Sequence, residues 1–345
     1  MESFSNGASL NNQSGAHAPG AIYDWGLFDR DVRIDVRNCV LFVVFFLVIN
    51  GIAASIVQAV YIAIAAYSGA GNPDELSAAI YESLSVVGLT SIVGIICGSC
   101  VFFIMRKRRF ITDLALPAAE PMTPKILIIL IVATQGIQCA NSLIVTMIDA
   151  LLPSGISVVE SYGEAIDSLF TPLGVLYIVI IGPIFEELIF RGAALETLRR
   201  FGDNFAIIIS ALIFGFYHMT IMQIPFCFVL GLLLGYVAVR WSLRAAIVLH
   251  IVTNGISVLI SDTNSEAIMV IGGLALFACL IVTIAMVIYW RKPFHARIRA
   301  GAAYYPQTYK NGFSSIALWA FIFVTAAIGV FQIIALADLP SLFSY

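Results

Sequence analysis

Residues 182–192 read GPIFEELIFRG, from Gly182 to Gly192. Apolar residues crowd both flanks, yet two adjacent carboxylates, Glu186 and Glu187, and one guanidinium, Arg191, occupy the middle. An ionisable group costs roughly 2.5–3.5 kcal/mol at the centre of a membrane helix on insertion scales. Three in one apolar stretch mark a place where charge is retained for a reason.

The surrounding chain makes the setting a membrane. Of 345 residues, 60% are hydrophobic and 11% charged, and the mean hydropathy is +0.97. Soluble domains carry about 25% charged residues. The composition is that of an all-α polytopic membrane bundle, and the net charge of −3 averages two unlike sides. Nucleic acid is not indicated as a partner; the bilayer is. The six cysteines lie in or beside apolar stretches without disulfide or zinc-finger spacing, and Cys97 with Cys100 forms a CxxC that lacks a partner pair. They read as small buried hydrophobes. Residues 1–36 are polar where a signal peptide would begin its apolar region, so they read as a disordered cytoplasmic tail.

Windows of about 20 apolar residues cross a hydrocarbon core. Nine are found, at 38–66, 84–105, 125–149, 171–195, 205–221, 225–240, 244–261, 267–290 and 314–337. The first and fourth are long enough to extend past the bilayer. The basic residues then test the count. Arg30, Arg33 and Arg37 precede the first span, and Arg106 to Arg109 with Lys125 lie between the second and third. Arg191, Arg199 and Arg200 end the fourth, Arg240 and Arg244 join the sixth to the seventh, and five more join the eighth to the ninth. All 18 fall on one side of an alternating path, while the connections 67–83, 150–170, 222–224 and 262–266 contain none. The positive-inside rule makes the N-terminus cytoplasmic and the C-terminus external. No repeat of fixed period is evident, against an inverted-repeat transporter. The expected organisation is a tail (1–36), three N-terminal spans (37–165), a core (166–265) and two C-terminal spans (266–345).

Within the core, Arg191 follows Glu187 by four residues, so the two share a helix face and can pair. Glu186 is left about 100° around the helix without that explanation. A spare carboxylate in a low-dielectric place is a candidate general base. The next span ends in FGFYH, with Phe214 and His218 four apart; the seventh carries HIVTN, with His250 and Asn254 four apart. These are the two histidines assigned to spans, since His17 and His295 lie in polar segments. At 1.5 Å per residue, Glu186 lies about 20 Å from Arg199, His218 about 21 Å from Asn204, and His250 and Asn254 about 9 and 15 Å from Arg244. All four fall in one zone between the midplane and the cytoplasmic face.

EExxxR, FxxxH and HxxxN on successive membrane helices resemble the CAAX protease and bacteriocin-processing family of intramembrane endopeptidases, which includes the type II CAAX prenyl proteases. The resemblance covers about 170–260. It implies that Glu186 activates a water for attack on a peptide carbonyl and that His218 positions or deprotonates that water. It also implies that His250 and Asn254 donate to the oxyanion, and that Glu187 and Arg191, with Phe214, support them. The implied mechanism needs no metal and no other cofactor. The residue types alone leave open a zinc site of Glu186, His218 and His250. They also leave open a non-proteolytic scaffold or self-immunity protein, and a proton-coupled transporter relaying through Glu186 and His218. The expected partner is a peptide or membrane-protein substrate, lipid-modified or itself a membrane segment. The expected location is the cell membrane, or the endoplasmic reticulum membrane in a eukaryote.

Two secondary expectations complete the reading. Gln135, Gln138 and Asn141 in the third span are spaced for interhelical hydrogen bonding. The stretch WRKPFHARIRAGAAYY (290–305) reads as a solvated loop, able to lie on an anionic leaflet.

Overall fold

The computed structural model describes residues 25–68, 86–106, 121–152, 157–159, 163, 169–261, 265–304 and 307–342. Its elements are helical throughout: α1 (Trp25–Ser68), α2 (Val87–Arg106), α3 (Pro124–Asp149), α4 (Pro172–Phe201), α5 (Asp203–Tyr217), α6 (Ile224–Arg240), α7 (Leu243–Ser261), α8 (Glu266–Tyr304), α9 (Thr308–Phe313) and α10 (Ile316–Leu342). Among the described residues six helices are long and apolar enough to cross a membrane, and three shorter ones (in α2, α5 and α6) are equally apolar. Each of the nine windows read from the sequence overlaps one of these helices. The chain is a polytopic helical membrane bundle.

Local chemistry sets several boundaries. Helices α3 and α4 both begin at Thr-Pro. The threonine hydroxyl accepts a backbone N–H (Ile126 to Thr123, Gly174 to Thr171), and the proline occupies the first turn, where its missing N–H costs nothing. Only Gly202 separates α4 from α5; its φ of 113° lies in the left-handed region, which a glycine enters without a Cβ penalty.

Helices α4 and α5 form the middle of the bundle. Ile189, Phe190, Leu195, Leu198, Phe205, Ile209, Ile213 and Phe214 are all fully buried. Val32, Val36, Val43 and Phe46 of α1, Ile95 of α2 and Leu318 of α10 pack against one side of that pair. On the other side Leu130 of α3, Leu230, Leu234 and Val237 of α6, and Ala246 and Leu249 of α7 form a second cluster. In lipid such contacts hold by van der Waals complementarity, because acyl chains are as apolar as the side chains they replace. Helix α8 leans chiefly on α3 and is almost wholly exposed over Glu266–Pro293.

Four boundaries differ from the sequence reading. Helix α1 starts at Trp25, because residues 25–36 are docked: Asn311 Nδ2 donates to Asp29 Oδ1 at 2.6 Å, Arg33 Nη1 donates to Asn311 Oδ1 at 3.0 Å, and Arg200 Nη2 meets Asp35 Oδ2 at 2.6 Å. Residues 1–24, His17 among them, lie outside the described residues, as do 107–109 and most of the connections 67–83 and 150–170. The fifth span was read as continuing to 221, but α5 ends at Tyr217 and the chain turns over 218–223. The fourth span is not uniform; two widened π-helical segments, Tyr177–Ile181 and Phe190–Leu195, interrupt it. The stretch 290–304 continues α8 as helix and is not a loop.

Candidate active site

Glu186 and Glu187 sit in the eight-residue α-helical part of α4, Gly182–Ile189, bracketed by the two π segments. A widened turn rotates everything beyond it and leaves a carbonyl for another partner. Both segments show this. Asn254 Nδ2 donates to the Ile178 carbonyl at 2.9 Å, and Ser210 Oγ donates to the Phe190 carbonyl at 2.8 Å. Side chains from α7 and α5 thus tie down the irregular turns on either side of the acidic pair.

Glu187 is the electrostatic hub and is fully buried. Its Oε1 accepts from Arg191 Nη1 at 2.8 Å and faces His250 Nδ1 at 3.0 Å. Arg191, 2% exposed, also donates from Nη2 to the Gly231 carbonyl of α6 at 3.3 Å and lies 4.3 Å over the Phe214 ring. Glu187 Oε2 and Arg191 Nε have no protein partner. Breaking such a pair by deleting one member costs about 3–5 kcal/mol, because an uncompensated charge stays buried.

Glu186 takes no part in that ion pair. Its Oε2 lies 3.9 Å from His250 Nε2, and its side chain is 12% exposed. That separation is too long for a direct hydrogen bond, but one water about 2.8 Å from each atom would bridge it.

His218 stands at the C-terminal end of α5, where helix carbonyls lack backbone partners. Its own N–H turns to Gly215 (3.4 Å), and its Nδ1 sits 2.9 Å from the Phe214 carbonyl. A carbonyl only accepts, so Nδ1 carries the proton and Nε2 is left with a lone pair. The same argument applies to His250, whose Nδ1 faces a carboxylate. In the neutral form each imidazole presents Nε2 as an acceptor. Phe214 holds the two rings in place, edge-on to His218 at 4.9 Å and to His250 at 6.0 Å between centroids.

The structure brings Glu186, Glu187, Arg191, Phe214, His218 and His250 together. Asn254 is beside them in sequence register, with its amide nitrogen engaged by Ile178. Glu186, His218 and His250 do not form a zinc site as arranged: among the described residues no three His, Cys, Asp or Glu side chains converge to hold a metal. Sequence reasoning missed Tyr217, whose ring lies 5.2 Å from His218 and packs on Phe190, although it directly precedes His218 in FGFYH. It also missed Ser210 and the Gly231 carbonyl, for which no spacing gives a signal. Of the polar face on α3, Asn141 bonds across to the Met222 carbonyl at 3.2 Å, while both amide atoms of buried Gln135 lack a protein partner. Thr134, its neighbour, is the residue that meets α7, through Thr253 at 3.0 Å.

Residues 168–256 match the family described as type II CAAX prenyl endopeptidase Rce1-like, a stretch that contains every residue of the constellation. The match is to the same family that the motifs resemble, whose members are in general membrane peptidases. Over 106 residues the chain is 31% identical to the membrane-embedded CAAX protease MroQ of Staphylococcus aureus (strain USA300), an overlap of 28% of this chain and 42% of that protein. The chain thus spans less than half the length of the curated relative it matches. No solved structure matches it significantly.

Proposed function

We propose that the protein is an intramembrane endopeptidase of the cell membrane that hydrolyses a peptide bond with a glutamate-activated water. One observation carries the reading. Glu187 absorbs both Arg191 and His250, which leaves Glu186 as a separate carboxylate facing an imidazole across a gap of one water.

Glu186 removes a proton as the water oxygen attacks the scissile carbonyl carbon, and His218 Nε2 orients that water. The carbonyl π electrons move to oxygen, and the resulting oxyanion needs donors already in place. His250 can supply one only when its Nε2 also carries a proton. The second amide proton of Asn254 is a further candidate donor. The tetrahedral species collapses with cleavage of the C–N bond. The oxyanion re-forms the carbonyl and Glu186 passes its proton to the leaving nitrogen, giving a carboxylic acid and an amine, which exchange a proton to leave as carboxylate and ammonium. No step is routed through a metal.

The long apolar helices and the one-sided distribution of all 18 basic residues support an alternating path with a cytoplasmic N-terminus. The scissile bond would then lie in the cytoplasmic half of the bilayer, where a lipid-modified peptide or a membrane segment is the fitting substrate. The test is comparative peptidomics of membranes holding wild-type protein or Glu186→Gln at equal abundance. Peptides that appear only with the wild type are expected. Identical peptide sets sink the reading and favour a scaffold; proton-coupled flux in liposomes without cleavage favours a transporter.

A further inference from the structure

The turn carrying His218 does not reach the far side of a bilayer. Helices α5 and α6 have 15 and 17 residues, about 22 and 26 Å at 1.5 Å per residue, against a hydrocarbon core of about 30 Å. Residues 218–223 therefore close a hairpin at membrane depth, where irregular backbone persists only if its polar groups find protein partners.

They do. Met219 takes the left-handed conformation, φ 53°, which turns the chain sharply. Thr220 Oγ1 donates to the His218 carbonyl at 3.2 Å, and Gln223 N donates to the Thr220 carbonyl at 2.9 Å. The Met222 carbonyl is met from α3, by Asn141 Nδ2 at 3.2 Å. Helix α10 presents Gly329 to the same turn. A Cβ there would come within 3.0 Å of the Met219 carbonyl oxygen and 3.1 Å of Ile221 N, both backbone atoms of the turn. Heights agree: Gly329 lies 13 residues up α10 and Asn141 17 residues up α3, about 20 and 26 Å.

We propose that Asn141 and Gly329 are positioning residues for His218, clamping the α5–α6 turn between a hydrogen bond from α3 and the bare backbone of α10. The clamp acts through the turn: Met219 is bonded directly to His218, so a displacement of the Met219 carbonyl re-aims the imidazole. It also gives α10, which lies outside the Rce1-like segment, a place in the chemistry.

The primary test does not require activity. Diethyl pyrocarbonate modification of each histidine, followed by mass spectrometry of the intact membrane protein's peptides, reads imidazole exposure site by site. Gly329→Val and Asn141→Ala are expected to change the rate at His218 by about threefold or more while His250 stays within error, and Asn141→Gln restores the wild-type rate, as re-aiming by several tenths of an ångström implies. Gly329→Ala gives a smaller change and serves if the valine variant does not fold. Unchanged rates at His218, or equal changes at both histidines, overturn the proposal. A second arm rests on the peptidase reading: kcat should fall about tenfold with KM within twofold. Absence of cleavage by the wild type sinks that reading, while the modification rates still decide this one.

Discussion

His250 turns Nδ1 to Glu187 at 3.0 Å, and this single contact decides what its other nitrogen can do. With Nδ1–H committed to a carboxylate, Nε2 points to Glu186, the one acid of the pair outside the arginine's grip. Two neighbouring glutamates, identical in chemistry, are given different partners by a rotation of about 100° along one helix, and under the proposed function different tasks.

Substitution should separate those tasks. Glu187→Gln leaves Arg191 buried without its counter-charge and is expected to lower stability by about 3–5 kcal/mol. Glu186→Gln removes a carboxylate that no arginine pairs with, so thermal unfolding in detergent should be nearly unchanged while cleavage is lost. Equal destabilisation by the two variants would contradict the division.

Arg191→Lys keeps the charge and still fails. An ammonium cannot reach Glu187 Oε1, the Gly231 carbonyl and the Phe214 face together, as the planar guanidinium does. A lower unfolding temperature and reduced activity are expected; wild-type values for both would show that the fork geometry is dispensable.

Ser210→Ala orphans the Phe190 carbonyl in the second π segment, at a cost of about 1–3 kcal/mol. Hydrogen exchange of residues 190–195 should accelerate by about tenfold or more for each 1.4 kcal/mol lost, with exchange in α10 unaffected. Uniform acceleration across the bundle would mean that the serine is general packing and holds no particular turn.

Much of this was legible in the residues. Nine apolar windows, the Glu187–Arg191 pair and the meeting of Glu186 with His250 all follow from hydropathy and helical spacing. The π segments did not, because widening a turn depends on carbonyl partners arriving from distant helices, here Asn254 and Ser210. The same cause hid the end of α5. Residues 218–221 are apolar enough to continue a span, and the break comes from Met219 turning the chain. Gln135 shows the limit of face-reading: one residue from Thr134, it is rotated off the α7 contact and has no partner in the bundle.

Activity, once found, should withstand exhaustive treatment with EDTA or phenanthroline, since the site offers no three-ligand set for a metal. Inactivation by chelator that zinc reverses would require Glu186, His218 and His250 to rearrange.

The hydrogen bond between Asp29 and Asn311 joins residues 282 positions apart. It cannot exist until the ribosome has synthesised residue 311, and Gly329 emerges later still. Earlier spans can enter the membrane one after another, yet the first helix is fastened only when the segment around Asn311 arrives. Assembly of the bundle is therefore timed by synthesis of that segment, and nascent chains arrested before residue 307 should insert while their first helix remains open to protease and thiol reagents.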